Sequence, residues 1–299
     1  MAAESGAGGA SGGVAAVVVN YRAARHLPAC LASLRAEGVA EVVVVDNDSG
    51  DDSAEVVADA DPAAVYLPLG ANLGYGAGAN RGVEATTAGY VLICNPDLHL
   101  LPGAVAPLVD ALDSHPEAGI VGPRLLDAHG ELYPSARTFP ALGDAVGHAF
   151  LGLVAPANRW SRRYKMLGWD HTGSAEVDWV SGACFLARRA CLDQLGGFDE
   201  SYFMYSEDVD LCWRAWKAGW KVRYEPAAAV VHVQGQSTNH HPYRMIVQHH
   251  RSLMRFANRT TGGLRRLLLP LVAAGLGVRT LLAWGQRLLE TARAAGRAE

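Results

Sequence analysis

From Val14 the chain alternates between short, continuously apolar runs and stretches whose apolar residues recur at helical spacing. Val14–Asn20, Glu41–Asp46, Val65–Leu69 and Tyr90–Cys94 are brief and mostly rich in valine, the pattern of strands covered on both faces. Between the first two, Leu27, Cys30, Leu31 and Leu34 share one face of a helix. A short helix is predicted over Asp52–Ala60, another over Pro102–Ser114, and a further strand at Ile120–Gly122. This alternation predicts an α/β fold, a mostly parallel sheet flanked by helices and joined by right-handed crossovers. Three strands end in polar residues: Asn20-Tyr21, Asp46-Asn47 and Asn95-Pro96-Asp97. Ligands of open α/β sheets bind at the carboxyl ends of strands, so this edge is the expected site.

The pattern changes after residue 124. Leu125–Trp169 has weak periodicity and many loop signals, Val177–Leu186 is strand-like, and Glu207–Ala218 predicts a helix. Lys221–Glu225 and Ala229–Val233 read as two short strands. The organisation expected is a leader over 1–13, one domain over 14–250 with halves 14–123 and 124–250, and a helical tail over 251–299. In the tail, Leu264–Trp284 is apolar but carries Arg265, Arg266, Arg279 and Pro270. Its uncharged run between Arg266 and Arg279 reads as too short to span a bilayer. Two outcomes stay open, an amphipathic helix pair lying on a membrane surface or a helical hairpin packed on the domain.

Charge sharpens this picture. The chain of 299 residues has a net charge of −4, so it has no general attraction for nucleic acid. From Arg251 onward nine Arg face two Glu, a local +7 that leaves the preceding part near −11. A basic, apolar tail on an acidic body points to an anionic surface. Met1–Gly13, rich in Ala, Gly and Ser, lacks the basic and apolar regions of a signal peptide. Five cysteines without CxxC spacing argue against a disulfide framework or a structural zinc site and fit a reducing compartment.

Candidate chemistry is acidic. Asp97 either caps a helix or holds Mg²⁺ or Mn²⁺ against a diphosphate. Glu207, Asp208 and Asp210 crowd three carboxyls into four positions behind the aromatic run Tyr202-Phe203-Met204-Tyr205. They either complement a helix N-terminus or, inside an aromatic collar, supply a general base for a sugar hydroxyl. His232, followed by Gln234, Gly235, Gln236 and Ser237, is open between a structural and a metal-binding role. The glycines of Asn72–Gly82 lack GxGxxG spacing, and no GxxxxGK[ST] motif occurs, which disfavours dehydrogenases and P-loop enzymes.

In order and spacing these segments resemble family-2 glycosyltransferases, in particular the bacterial rhamnosyltransferase-like branch. The resemblance rests on Val17–Tyr21, Val45–Ser49, Asn72–Asn80, Asn95–Asp97, Val180–Leu186, Gly196–Glu200, Tyr205–Arg214 and His232, and covers roughly residues 14–240. It implies a GT-A fold and an inverting, metal-dependent enzyme. By that resemblance Asn20, Tyr21, Asp46, Asn47, Asn72, Asn80, Asn95 and Asp97 surround a nucleotide-sugar donor. Asp97 and His232 hold the metal, with Asn95 standing at the first acidic position of the family's Asp-x-Asp motif. Asp208 is the general base, and Trp179, Ser181, Gly182 and Glu207 line the acceptor side. Tyr133–Pro140 resembles a segment of the same branch in which Arg137 faces donor or acceptor. The implied donor is dTDP-L-rhamnose, and the implied acceptor is a lipid-linked glycan of the N-acetylglucosaminyl diphosphate polyprenol type. The tail then meets the cytoplasmic face of the cell membrane, and the chain is compatible with a homo-oligomer. Another family-2 donor such as UDP-galactofuranose or a UDP-hexose, a nucleotidyltransferase, and a non-catalytic nucleotide- or glycan-binding protein are the alternatives.

Overall fold

The valine-rich runs form parallel strands β1 (Val14–Asn20), β2 (Glu41–Asp46), β3 (Val65–Pro68) and β4 (Tyr90–Cys94). The computed structural model describes residues 13–140, 166, 168–233 and 242–295, with side chains of the last helix described as far as 285. All of the expected leader except Gly13 lies outside the described residues, as do Gln234, Gly235, Gln236 and Ser237. Successive strand residues point to opposite faces, and helices cover both. Ala16, Val18, Val42, Val44 and Leu92 pack with Leu27, Leu31 and Leu34 of α1 (Leu27–Ala36). Beyond α2 (Ser53–Ala60), the other face carries Val17, Val19, Val43, Val45 and Ile93, which meet Tyr75 and Ala79 of α3 (Tyr75–Glu84).

The glycine-rich stretch forms this third helix in spite of its low helix propensity, because glycine permits close approach. A Cβ at Gly82 would lie 2.2 Å from Val17 Cγ1. At the entry to the helix Gly74 has φ 93°, and a Cβ there would lie 2.2 Å from the Phe203 carbonyl oxygen.

Beyond β4 come β5 (Leu98–Leu100), α4 (Val105–Ser114), β6 (Ala118–Leu126) and β7 (Leu132–Tyr133). A small ribbon pairs β8 (Ala136–Arg137) with β10 (Trp179–Val180), and β9 (Ala175–Glu176) lies between them in sequence. Then follow β11 (Cys184–Arg188), α5 (Arg189–Leu195), α6 (Glu207–Lys217) and β12 (Lys221–His232). The main sheet has the order β3-β2-β1-β4-β11-β6-β12-β5.

Four of the seven pairings along this path are parallel, and β11 runs antiparallel to both its neighbours. That reversal positions the site. Cys184 opens β11 opposite Cys94, the last residue of β4, so the turn Ser181–Ala183 lands on the edge where the parallel strands end. The Asn95 N–H donates to the Ala183 carbonyl at 2.9 Å. The two short strands expected over Lys221–Val233 are one strand, β12, with a register break between Glu225 and Ala229 around Pro226. Proline has no N–H for a ladder and is accommodated at such a break. The strand therefore continues to His232, opposite Leu98, and Val233 N donates to Asp97 O at 3.1 Å.

The tail is a hairpin of α7 (Pro242–Thr260) and α8 (Leu269–Ala295). Tyr243 meets Trp284 with ring centroids 6.0 Å apart, and His250 Nδ1 lies 2.6 Å from Thr280 Oγ1. The boundary expected at residue 250 falls inside α7. This helix docks on the domain through buried Phe256, which meets Trp213 and Phe139, and through Arg259, which pairs with Asp199 and Asp210. Gly263–Gly285, a helical segment of 23 residues with mean hydropathy 1.8, is long and apolar enough to cross a membrane by length and composition. The uncharged run between Arg266 and Arg279 is itself shorter than a span, and it is the longer segment, with Arg265, Arg266 and Arg279 inside it, that reaches the length. Packing against α7 covers Val272 and Leu276 and leaves Leu264, Leu267, Leu271, Leu281 and Leu282 exposed.

Candidate active site

At the strand-end edge lies a cavity of about 400 Å³. Of the residues singled out in the sequence, Tyr21, Asn47, Asn72, Asn95, Asp97, Trp179, Ser181, Gly182, Glu207, Asp208 and His232 line it. Asn20, Asp46 and Asn80 do not. Asn20 is fully buried below the floor, where Nδ2 donates to Asp46 Oδ1 at 2.7 Å and to the hydroxyls of Ser49 and Ser53. Asp46 also accepts from the Ser49 N–H at 3.0 Å. These groups tie the ends of β1 and β2 together, although Asn20 Oδ1 is left without a partner among the described groups. Asn80 bonds both ways to the Phe198 backbone, at 2.8 and 3.0 Å, and locks α3 to the turn before α6.

Asn95, Asp97 and His232 converge on one wall. His232 Nε2 lies 3.2 Å from Asn95 Nδ2 and 3.3 Å from Asp97 Oδ1, and all three side chains are largely withdrawn from solvent. If the Asn95 amide donates, Nε2 carries no proton and its lone pair faces a carboxylate oxygen, an arrangement that a cation between them relieves. His232 Nδ1 is buried without a partner among the described groups. One carboxylate and one imidazole suit an ion that keeps its other positions for water and phosphate, so these residues fit Mg²⁺ or Mn²⁺. No cluster of three or more His, Cys, Asp or Glu able to hold a metal occurs among the described residues.

The opposite wall is the start of α6. Tyr205 and Ser206 both have left-handed backbone, φ 67° and 63°, which is uncommon outside glycine and turns the chain sharply into the helix. The three acids then separate. Asp210, fully buried, pairs with Arg214 at 2.7 Å and Arg259 at 3.1 Å and anchors α7. Asp208 Oδ2 accepts from the Gly182 N–H at 2.8 Å, and Oδ1 accepts from the Val209 N–H at 2.8 Å. A Cβ at Gly182 would crowd Asp208 Cβ at 3.1 Å, so the glycine lets the carboxylate approach the turn. Burial pushes the Asp208 carboxyl up, while these N–H bonds and the Arg137 charge pull it back. Glu207 is buried with Oε2 unpartnered among the described groups, and burial followed by the Asp208 charge pushes its carboxyl well above the usual range. Both carboxyls are thus raised, Glu207 without the N–H donors and the arginine charge that hold Asp208 back.

Several lining residues were not picked out in the sequence. Tyr75 donates to the Gly182 carbonyl at 2.5 Å and closes the floor. His249, Leu253 and Phe256 of α7 complete the wall, with His249 against Tyr205 at 5.0 Å between centroids. Their i, i+4, i+7 spacing was the available signal that one helix face was committed to the body.

The comparisons with known proteins agree with this geometry. Residues 15–196 match the model of Glycosyl transferase family 2. An N-acetylglucosaminyl-diphospho-decaprenol L-rhamnosyltransferase of Mycobacterium tuberculosis is 39% identical over 280 residues, which is 89% of this chain and 91% of that protein. Among solved structures, TarS 1–349 of S. aureus in complex with UDP superposes with TM-score 0.56 at 16% identity, covering 87% of this chain and 75% of that one. A mannosyltransferase of Pyrobaculum calidifontis in complex with GDP-Man and Mn²⁺ gives the same TM-score and identity, covering 94% and 79%. These two show the fold alone, the GT-A type of α/β architecture. Because the family model spans more than half of the residues and a relative aligns along nearly all of them, the chain belongs to glycosyl transferase family 2 and is a glycosyltransferase.

Proposed function

We propose that the chain is an inverting, metal-dependent rhamnosyltransferase that moves L-rhamnose from dTDP-L-rhamnose to a sugar carried on a lipid diphosphate. The observation that carries the mechanism is Asp208, a carboxyl held at the cavity wall by two N–H groups beside the buried Glu207, whose own carboxyl burial pushes well above the usual range. A carboxylate has about four acceptor positions. With two filled, Asp208 retains capacity to receive an acceptor hydroxyl. The M. tuberculosis relative, whose name specifies rhamnose and a diphospho-decaprenol acceptor, supports the choice of substrates.

In the proposed reaction the acceptor hydroxyl attacks the anomeric carbon and its proton passes to an Asp208 oxygen. The bond from that carbon to the phosphate oxygen breaks, and the nucleoside diphosphate leaves with the electron pair. One displacement inverts the configuration. A Mg²⁺ or Mn²⁺ held by Asp97 and His232 would neutralise charge on the leaving diphosphate. Tyr21, Asn47 and Asn72 would bind the donor, and Trp179, Ser181, Gly182 and Glu207 the acceptor. Asn20, Asp46 and Asn80 would support the donor side from beneath. The exposed leucines and the arginines at 265 and 266 would rest on the cytoplasmic face of the cell membrane, where the lipid-linked acceptor resides.

A panel of nucleotide sugars with Mg²⁺ or Mn²⁺ and a GlcNAc-diphosphoryl-lipid, read by mass spectrometry, tests the substrates. A product heavier by one deoxyhexose, formed with dTDP-rhamnose and metal, is expected. Transfer from UDP-galactofuranose or a UDP-hexose instead would discard rhamnose and keep the mechanism. For the membrane, Leu267→Glu combined with Leu271→Glu should abolish co-sedimentation with anionic vesicles. Unchanged pelleting would remove that role from the tail.

A further inference from the structure

Arg137 is the sole Lys or Arg among the described residues that line the cavity, whose walls otherwise carry Asp97, Glu207 and Asp208. Its placement is fixed from several sides. The β8–β10 ribbon sets Arg137 directly opposite Trp179, and residues opposed in an antiparallel pair share a face. The guanidinium carbon lies 5.1 Å from the Trp179 ring centroid and 5.5 Å from that of Tyr133. Nε donates to the Pro134 carbonyl and an Nη to the Tyr133 hydroxyl, each at 2.9 Å. Trp179 is itself held, donating from Nε1 to Thr138 O at 2.9 Å. A guanidinium oriented in advance loses little freedom on meeting an anion, and its planar fork matches phosphate oxygens.

The reading above brings two diphosphates to this cavity, one on the donor and one on the acceptor, and the Asp97–His232 locus answers the first. The acceptor diphosphate is attached to the sugar whose hydroxyl must reach Asp208, so it arrives within one sugar ring of the base. Arg137 stands on that side, close enough to Asp208 for its charge to act on the carboxylate. We propose that Arg137 binds the diphosphate of the lipid-linked acceptor, with Tyr133 and Trp179 holding its guanidinium against the cavity wall. The proposal rests on the acceptor class assigned above and adds the group that recognises it.

The test compares two acceptors, a GlcNAc-diphosphoryl-lipid and the matching GlcNAc alkyl glycoside without phosphate, in wild type, Arg137→Ala and Arg137→Lys. Rates are taken on the pH plateau, because removing the Arg137 charge also moves the Asp208 carboxyl up. The wild-type preference for the diphosphate acceptor, as a ratio of kcat/KM, should shrink by roughly 10–100-fold in Arg137→Ala, the scale of a hydrogen bond to a charged group. The loss should lie in KM for that acceptor, with donor affinity by calorimetry unchanged. Arg137→Lys should recover part of the preference, since a point charge replaces a fork. This variant keeps charge and bulk and carries the test if Arg137→Ala fails to fold. Equal losses on both acceptors, or a loss confined to donor affinity, would overturn the proposal. If wild type transfers to neither acceptor from any donor, the functional reading fails and the proposal fails with it.

Discussion

Two buried carboxylate clusters sit at the same edge of the sheet and are treated in opposite ways. At the end of β2, Asp46 receives donors from Asn20 and from both the hydroxyl and the N–H of Ser49. At the start of α6, Glu207 has a buried oxygen with no partner among the described groups, and Asp208 faces the cavity. Asp210, one turn on, belongs with the first kind, bracketed by Arg214 and Arg259. Buried polar groups are ordinarily satisfied, so a satisfied acid is scaffold and an acid left short of partners in a cavity marks where a substrate supplies the missing bonds.

Breaking each kind of acid should give a different failure. Asp208→Asn should lower kcat by about 10²–10⁴-fold, the usual contribution of a general base, with donor binding preserved. Steady-state kinetics and calorimetry read both, and near-normal transfer would remove Asp208 from the chemistry. Asp210→Ala should instead cost about 3 kcal/mol of stability in urea unfolding, because it takes the buried ion-pair partner from Arg214 and leaves Arg259 with Asp199. Loss of activity without loss of stability there would erase the contrast within α6.

Glu207→Gln sharpens the contrast further. If the proposed reaction uses Asp208 as its base, kcat/KM should fall as pH drops through its raised pKa. If Glu207 is already protonated, an amide replaces one neutral group by another and this acid limb stays in place. A limb moved to lower pH would show that Glu207 carries charge in the working enzyme. The smallest effect concerns the tail. Burial holds His250 down to about 4, beneath its ordinary value near 6.5. Folding then favours the neutral ring, and docking of α7 on α8 should weaken as pH falls from about 6.5 towards 4. Hydrogen exchange of the hairpin amides against pH checks this, and pH-independent protection would contradict it.

The strand ends were legible because runs such as Val17–Val19 and Val42–Val45 fit a sheet covered on both faces, and each stops at a polar residue. The acids were legible as a group, but their separate fates were not. Asp210 is distinguished from Asp208 by Arg214, at an i, i+4 spacing that the sequence shows, and by Arg259, a residue on another helix that no local pattern connects to it. The turn of β11 was hidden for the same reason, since the pairing of Cys184 with Cys94 is a fact of the sheet. The glycines of α3 carried no helix signal in the sequence, and their reason is the close approach of Val17 and Phe203, which no local pattern shows. The α7 contribution to the cavity was masked by reading the tail from its charge, which describes the outer face and not the face bearing His249, Leu253 and Phe256.

The central claim is a single displacement in which Asp208 takes the proton and no sugar becomes attached to the protein. The anomeric configuration of the purified product, read by NMR coupling constants and compared with that of the donor, tests it most directly. Inversion is the result this account predicts, and retention would contradict it.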